Sequence, residues 1–274
     1  MFMKDKLIDN TISDDTLIYH YTSFNSACMI LDTKRVRLSS LVNTNDPLEF
    51  MDKSLNIIEH DIHNTTLTID CELKKSFVER QNIVRLLCFS VDFPCIGEEK
   101  NQEYTGNLLF KGWARSRMWA QYADNHRGVC LVFDKDEFRK DFGKLRNDDI
   151  EIFQDQKITY TNNLSDLDEN MTHVSNNDKT DGSFEHFYLD EKRRKYLFQK
   201  CEDYRDENEY RFVLADKKLK SPNEEKYVEY TTSLKAIILG TRFPKNIRFS
   251  KLSGVEVYQM NWDYDGPYLI PLTL

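Results

Sequence analysis

The sequence predicts a single α+β domain with mixed or antiparallel sheets. Two observations carry this. Candidate strands and helices do not alternate in the βαβ manner that builds a parallel sheet, and the last third of the chain is strand-rich. The 274 residues suit one large domain, whose core would bury roughly 75% of the unfolded chain's surface. With 40% hydrophobic and 31% charged residues, the composition is that of a soluble globular protein and excludes a disordered one.

Along the chain, Leu17-Ile18-Tyr19-His20-Tyr21 reads as a short strand. Ser23 then caps a helix from Phe24 to Leu31, whose apolar residues share one face. Val36 to Ser39 alternates as a strand. Asn45-Asp46-Pro47 turns into a helix toward Ile58, because proline suits the first helical position. A further helix covers Glu72 to Gln81, and Ile83 to Ser90 is a buried strand. The long loop from Pro94 to Gly106 has the length of an active-site lid. Leu109 to Asp124 reads as one helix closed by Gly128 as its cap. Val129 to Phe133 is an apolar strand, Asp134 to Phe142 a short helix, and Ile152 to Tyr160 an exposed alternating strand. Residues 161–182 lack periodicity and read as a flexible polar insertion. An amphipathic helix from Glu185 to Lys200 follows. Strands at Glu209–Ala215, Lys226–Thr231, Leu234–Leu239, Val255–Met260 and Tyr268–Thr273 complete the pattern.

The net charge of −8 argues against non-specific binding to nucleic-acid backbone, though not against a local basic patch. The start of the chain turns polar too early for a secretory leader, and no apolar run approaches the roughly 18 residues of a membrane span. Cys28, Cys71, Cys88, Cys95, Cys130 and Cys201 are scattered without C-x-x-C pairs, so reduced core thiols are expected. A cytoplasmic protein without membrane contact is the expectation.

Several constellations exceed what a fold requires. Glu207, Glu209 and Arg211 would share one face of a strand, with Phe212 and Leu214 toward the core. Two carboxylates with cationic support can stabilise a positive charge developing on a sugar and deprotonate an acceptor. The alternative is a solvated face laced with salt bridges. His20 lies mid-strand, where a ring nitrogen could meet a ribose hydroxyl or simply be satisfied within the fold. Tyr21, Thr22 and Ser23 lead into a helix N-terminus whose backbone donors favour phosphate. Trp119, Tyr122 and His126 would form one helical face, either a stacking wall for an aromatic ring or a core stripe. Asn45, Asp46 and Glu49 could hold a metal, but capping is the expected role and no metal is anticipated. Lys192-Arg193-Arg194-Lys195 is a solvated helix face or a phosphate-binding run. No Walker loop, G-x-S-x-G elbow, H-E-x-x-H or zinc spacing occurs.

Taken together, the YHYT-like strand, the NDPxEF turn, the MWxxYAxxHxGVCLxF block from Met118 to Phe133 and the ExEYR strand resemble a bacterial family catalogued as a domain of unknown function. The resemblance runs from about Ile18 to Gly240. The order of elements is also similar to the ADP-ribosyltransferase fold, in which toxins acting on DNA open with a comparable Tyr-His strand. That likeness implies that His20 contacts a ribose hydroxyl of NAD and that Glu209, or else Glu207, stabilises the oxocarbenium-like state. Of such a pair, one glutamate orients the ribose and the other acts on the acceptor. It makes Tyr122 the candidate stacking tyrosine, here on a helix and not after a strand. The implied activity is transfer of ADP-ribose from NAD to a protein or nucleic-acid acceptor, by a toxin or anti-phage effector with an antitoxin or defence-system partner. The rivals are a non-enzymatic or nuclease-like module of a defence system that binds a nucleotide or nucleic acid through the same groove, and a plain NAD glycohydrolase.

Overall fold

The computed structural model describes residues 16–46, 49, 82–93, 108–162, 197–245 and 255–272. The helix over 72–81, most of the helix after Asp46, the loop 94–106, the insertion beyond residue 162 and the helix carrying Lys192 to Lys195 lie outside the described residues.

Among the described residues the architecture is a mixed α and β one, with an open, mostly antiparallel sheet of ten strands and few helices. β1 (Leu17–Thr22) leads through α1 (Phe24–Thr33) to β2 (Arg35–Ser40). Ser23 caps α1 as expected, its hydroxyl accepting from Ser26 N at 3.2 Å. β3 is Val84–Ser90, β4 Val129–Asp134, β5 Ile150–Lys157, β8 Glu209–Asp216, β9 Lys226–Glu229, β10 Leu234–Leu239, β11 Glu256–Asp263 and β12 Gly266–Pro271. The short strands β6 (Thr159–Thr161) and β7 (Gln199–Cys201) pair apart from the sheet.

The order β12-β11-β10-β4-β1-β3-β2-β9 contains one feature that positions the site. β3 gives one edge to β8 along its whole length, from Val84↔Ala215 to Ser90↔Glu209. Its other edge is shared. β1 touches it only at Tyr19↔Ser90, and β2 only at Ser39↔Leu86 and Ser40↔Arg85. The two strands therefore diverge along one edge of β3, and the sheet is split between them.

Ile18, Phe89, Phe133, Phe138 and Phe212 build the main core, with edge-to-face rings at 5.0 Å for Phe89–Phe138 and 5.2 Å for Phe138–Phe212. Tyr19, Tyr21, Trp113 and Trp119 pack together in a second cluster. β1 feeds both, Ile18 entering the first and Tyr19 and Tyr21 the second.

The single helix expected over 109–124 is instead two 3-10 turns, Leu108–Phe110 and Gly112–Ala114, and a short α2 (Ser116–Tyr122). Tertiary contacts override helical spacing here. Asp92 accepts from Gly112 N at 2.6 Å and from Lys111 Nζ at 2.9 Å, and Gly112 packs so closely on the Tyr19 ring that an added Cβ would lie 2.3 Å from it. Gly128 is not a left-handed cap either; Asp124, Asn125 and His126 carry the positive φ angles. Gly128 is needed because Thr22 O would lie 2.3 Å from a Cβ at this position.

The helix α3 (Lys135–Gly143) starts at Asp134, whose carboxylate accepts from Glu137 N at 2.9 Å. Its Asp141 is buried and ties down the turn before β10. It accepts from Thr231 N at 3.1 Å, Thr231 Oγ1 at 2.9 Å and Ser233 Oγ at 2.9 Å, and pairs with Lys144. Burial pushes the Asp141 carboxyl up, but the Lys144 ammonium and these donors outweigh it and hold it below its ordinary value. Its stabilisation is thus present above the unfolded carboxylate value and lost as pH falls below that value through the lower folded one. Asp141→Ala strands the Ser233 hydroxyl and Thr231 N–H, so a loss of about 1–3 kcal/mol is expected. Urea melts should show the deficit at pH 7 and its narrowing near pH 3.

Candidate functional site

The split between β1 and β2 opens a cleft of about 650 Å³. His20 from β1, Tyr122 from the end of α2, Lys200 from β7, Glu207, Glu209 and Glu49 all face it. Four short segments far apart in sequence meet there.

His20 Nδ1 lies 3.2 Å from Cys88 O. A carbonyl only accepts, so Nδ1 carries the proton and the neutral ring keeps a lone pair on Nε2. Burial lowers the histidine's pKa, against the Cys88 carbonyl that supports the charged form, so the ring is neutral at physiological pH. Nε2 is the nitrogen left to accept from a ligand hydroxyl.

Glu209 opens β8 and is buried. Its Oε1 pairs with Arg211 Nε at 2.5 Å and its Oε2 lies 2.9 Å from Lys200 Nζ. Burial pushes the carboxyl up, but the Arg211 guanidinium and Lys200 ammonium outweigh it and hold Glu209 at about 2. Glu207 accepts from Tyr122 OH at 2.6 Å and from Lys200 Nζ at 2.7 Å. Arg211 also pairs with Glu49 at 2.5 Å and donates to Leu197 O at 2.9 Å. Burial pushes Glu49 above the ordinary range, while Arg211 and Lys200 oppose that rise. Among the described residues the cluster thus holds three carboxylates and two cations.

The expected shared strand face for Glu207, Glu209 and Arg211 holds for the last two only. Glu207 ends a 3-10 turn over Glu202–Glu207, and Asn208 adopts a left-handed conformation before β8 begins. Nor is that face solvated: all three side chains are buried, and Arg211 is 0% exposed behind the carboxylates.

The stacking wall is also different. Trp119 is 0% exposed, and its Nε1 donates to Trp113 O at 2.7 Å. His126, past the helix end, lies parallel to Trp119 at 6.4 Å. Of that trio only Tyr122 lines the cleft, because α2 stops at Tyr122 before a second turn can bring His126 round. Tyr21 and Thr22 contribute to the wall, though the Tyr21 hydroxyl is spent on Gly112 O at 2.5 Å. Ser23 is used as the cap of α1.

Glu49 N donates to Asp46 O at 2.9 Å, so a turn does form at Asp46. Asp46 offers its carboxylate to Cys201 N at 3.4 Å, and Glu49 turns to Arg211. Among the described residues no three His, Cys, Asp or Glu side chains are arranged to hold a metal ion. Sequence reasoning missed Lys200, which it placed at the end of a helix, and Tyr160, whose hydroxyl accepts from Glu209 N at 2.8 Å. Only charge balance could have asked for Lys200, since two buried carboxylates so close need a shared cation.

A family model described as a protein of unknown function (DUF2971) matches residues 118–212. No curated protein and no solved structure matches the chain. Over the stretch that supplies Tyr122, Lys200, Glu207, Glu209 and Arg211, the chain is similar to a domain-of-unknown-function family.

Proposed function

We propose that the cleft binds NAD and that the protein transfers ADP-ribose from it to a macromolecular acceptor, on an ADP-ribosyltransferase-like frame. The observation that carries this reading is the facing of His20, Tyr122, Glu207 and Glu209 onto one cleft at the split in the sheet. His20 Nε2 accepts from a ribose hydroxyl, and the Tyr122 ring borders the nicotinamide. The bond between the ribose C1′ and the nicotinamide nitrogen breaks, and nicotinamide leaves with the electron pair. Glu209, ionised at any physiological pH, supports the cationic sugar. The acceptor's hydroxyl or amine then bonds to C1′ and its proton passes to Glu207.

NAD hydrolysis is the second reading. Glu207 has both oxygens engaged, by Tyr122 and by Lys200. A nucleophile must compete with the Tyr122 hydroxyl for it, and water does so with less rearrangement than a macromolecule. Nicotinamide release from NAD, measured alone and with DNA, RNA or cell protein added, tests both. Acceptor-dependent release with a labelled macromolecule supports transfer, and acceptor-independent release supports hydrolysis. No release under any of these conditions defeats both and leaves a nucleotide-binding module.

His20→Ala should weaken NAD binding about 10-fold, the worth of one hydrogen bond made in the ground state, with a smaller effect on kcat. Protonation would remove the Nε2 acceptor, and burial lowers the pKa of that step from its ordinary histidine value. NAD affinity by calorimetry should therefore be flat between pH 6.5 and 8 and fall only at more acid pH. A drop centred near pH 7 would contradict this assignment.

A further inference from the structure

Asn208 sits between Glu207 and Glu209 in the chain, and its side chain hydrogen-bonds elsewhere. Its φ and ψ are 43° and 55°, a left-handed conformation that few residues other than glycine adopt, asparagine being the most tolerant. Its side chain holds that bend in place. Nδ2 donates to Val91 O at 2.8 Å and to Asp92 O at 3.0 Å, while Val91 N donates to Asn208 O at 3.0 Å. These bonds extend the β3–β8 pairing one step past Ser90↔Glu209 and lock the residue to the segment after β3.

That segment also anchors the other partner of Glu207. Asp92 accepts from Lys111 Nζ and Gly112 N, fixing the turn that leads into α2 and so to Tyr122. The hydrogen bond from Tyr122 OH to Glu207 therefore spans two elements tied to one platform. The bend at Asn208 is what lets Glu207, arriving from a 3-10 turn, and Glu209, leaving on a strand, meet the same Lys200 Nζ at 2.7 and 2.9 Å.

We infer that Asn208 is a positioning residue: its left-handed backbone and its amide clamp on Val91 and Asp92 aim Glu207 and Glu209 at one ammonium and hold them on the wall of the cleft. Its catalytic consequence rests on the function proposed above; its effect on the Lys200 cluster does not.

The test uses the full chain with two substitutions. Asn208→Gly keeps access to the left-handed backbone and removes the clamp, while Asn208→Ala disfavours the backbone as well. Thermal melts establish that each is folded, and the glycine variant carries the test if the alanine variant is not. The first readout is the ammonium signal of Lys200 in ¹⁵N-lysine-labelled protein, assigned with Lys200→Arg. Burial between two carboxylates shields those protons from exchange in the unsubstituted chain. The expected result is loss of that signal in the folded variants. The second readout is steady-state nicotinamide release, where kcat should fall about 10- to 100-fold, as for small misplacements of a reacting group, with KM for NAD nearly constant. An ammonium signal retained in Asn208→Gly overturns the inference whatever the activity does. If the signal is lost while the unsubstituted chain releases no nicotinamide, the placement of Asn208 stands and the transferase reading fails.

Discussion

Replacing Glu209 by glutamine is expected to lower kcat for nicotinamide release about 10²- to 10³-fold, some 3–4 kcal/mol of barrier, with NAD affinity little changed. The amide keeps the shape of the side chain and a hydrogen-bond acceptor for Arg211, but it brings no negative charge to the cationic sugar. The charge count decides whether the fold survives the change. Three carboxylates now face two cations, Lys200 and Arg211. With Glu209 neutral, Glu49 and Glu207 still balance both, so no buried cation is stranded. A modest fall in Tm is expected, and rates should be compared well below it. The same residue fixes the acid side of the pH profile. The Glu209 pKa is depressed, so its ionised form and the stabilisation it gives are present above the ordinary carboxylate range and fade only as pH falls toward 2. Any acid limb of activity between pH 5 and 8 must therefore come from another group. Full turnover in Glu209→Gln, beside a dead Glu207→Gln, would exchange the roles of the two residues. Full turnover in both would end the transferase proposal.

Parts of this architecture are written locally. β4 and β10 are short apolar runs because both of their faces are covered, and α1 is marked by Ser23 and its apolar stripe. His20 stands out as the histidine of a strand in which Ile18, Tyr19 and Tyr21 enter two cores. Other parts are set by contacts no window of sequence contains. The stretch 109–124 has helical spacing, yet Asp92, about twenty residues upstream, breaks it by capturing Lys111 and Gly112. The E-x-E spacing does bring two carboxylates together, but by a bend at Asn208, not by the alternation of a strand. Most of all, the burial of Glu209 and Arg211 was not legible. A charged strand beside Glu202, Asp203 and Asp206 looks solvated until Lys200 and Glu49 are seen to close over it. Those partners come from other elements, and neither carries a local signal for this role.

The largest effect on stability is expected from Arg211→Met. The guanidinium is 0% exposed and joins three separate pieces of chain: Glu209 on its own strand, Glu49, and the carbonyl of Leu197. Methionine fills similar volume but leaves the three buried carboxylates with Lys200 as the remaining cation of the cluster among the described residues. Removing one partner of a buried ion pair commonly costs about 3–5 kcal/mol, because the remaining charge has lost its compensation. For a chain of this size that corresponds to a fall in Tm of roughly 6–20 °C. Arg211→Lys should recover only part of it, since one ammonium cannot address Glu49, Glu209 and a carbonyl in the directions of a planar fork. The pH dependence carries the sign of the mechanism. Burial already raises the Glu49 carboxyl, and the loss of Arg211 removes the first influence opposing that rise. A carboxyl whose folded pKa lies above its unfolded value destabilises the fold when ionised, and acidification relieves it. The deficit of Arg211→Met should therefore be greatest near pH 8 and shrink toward pH 5, and adding Glu49→Gln should restore part of the loss at pH 8. A variant that melts with the unsubstituted chain at pH 8, or whose deficit grows on acidification, would show that Arg211 is not the counter-charge of this cluster.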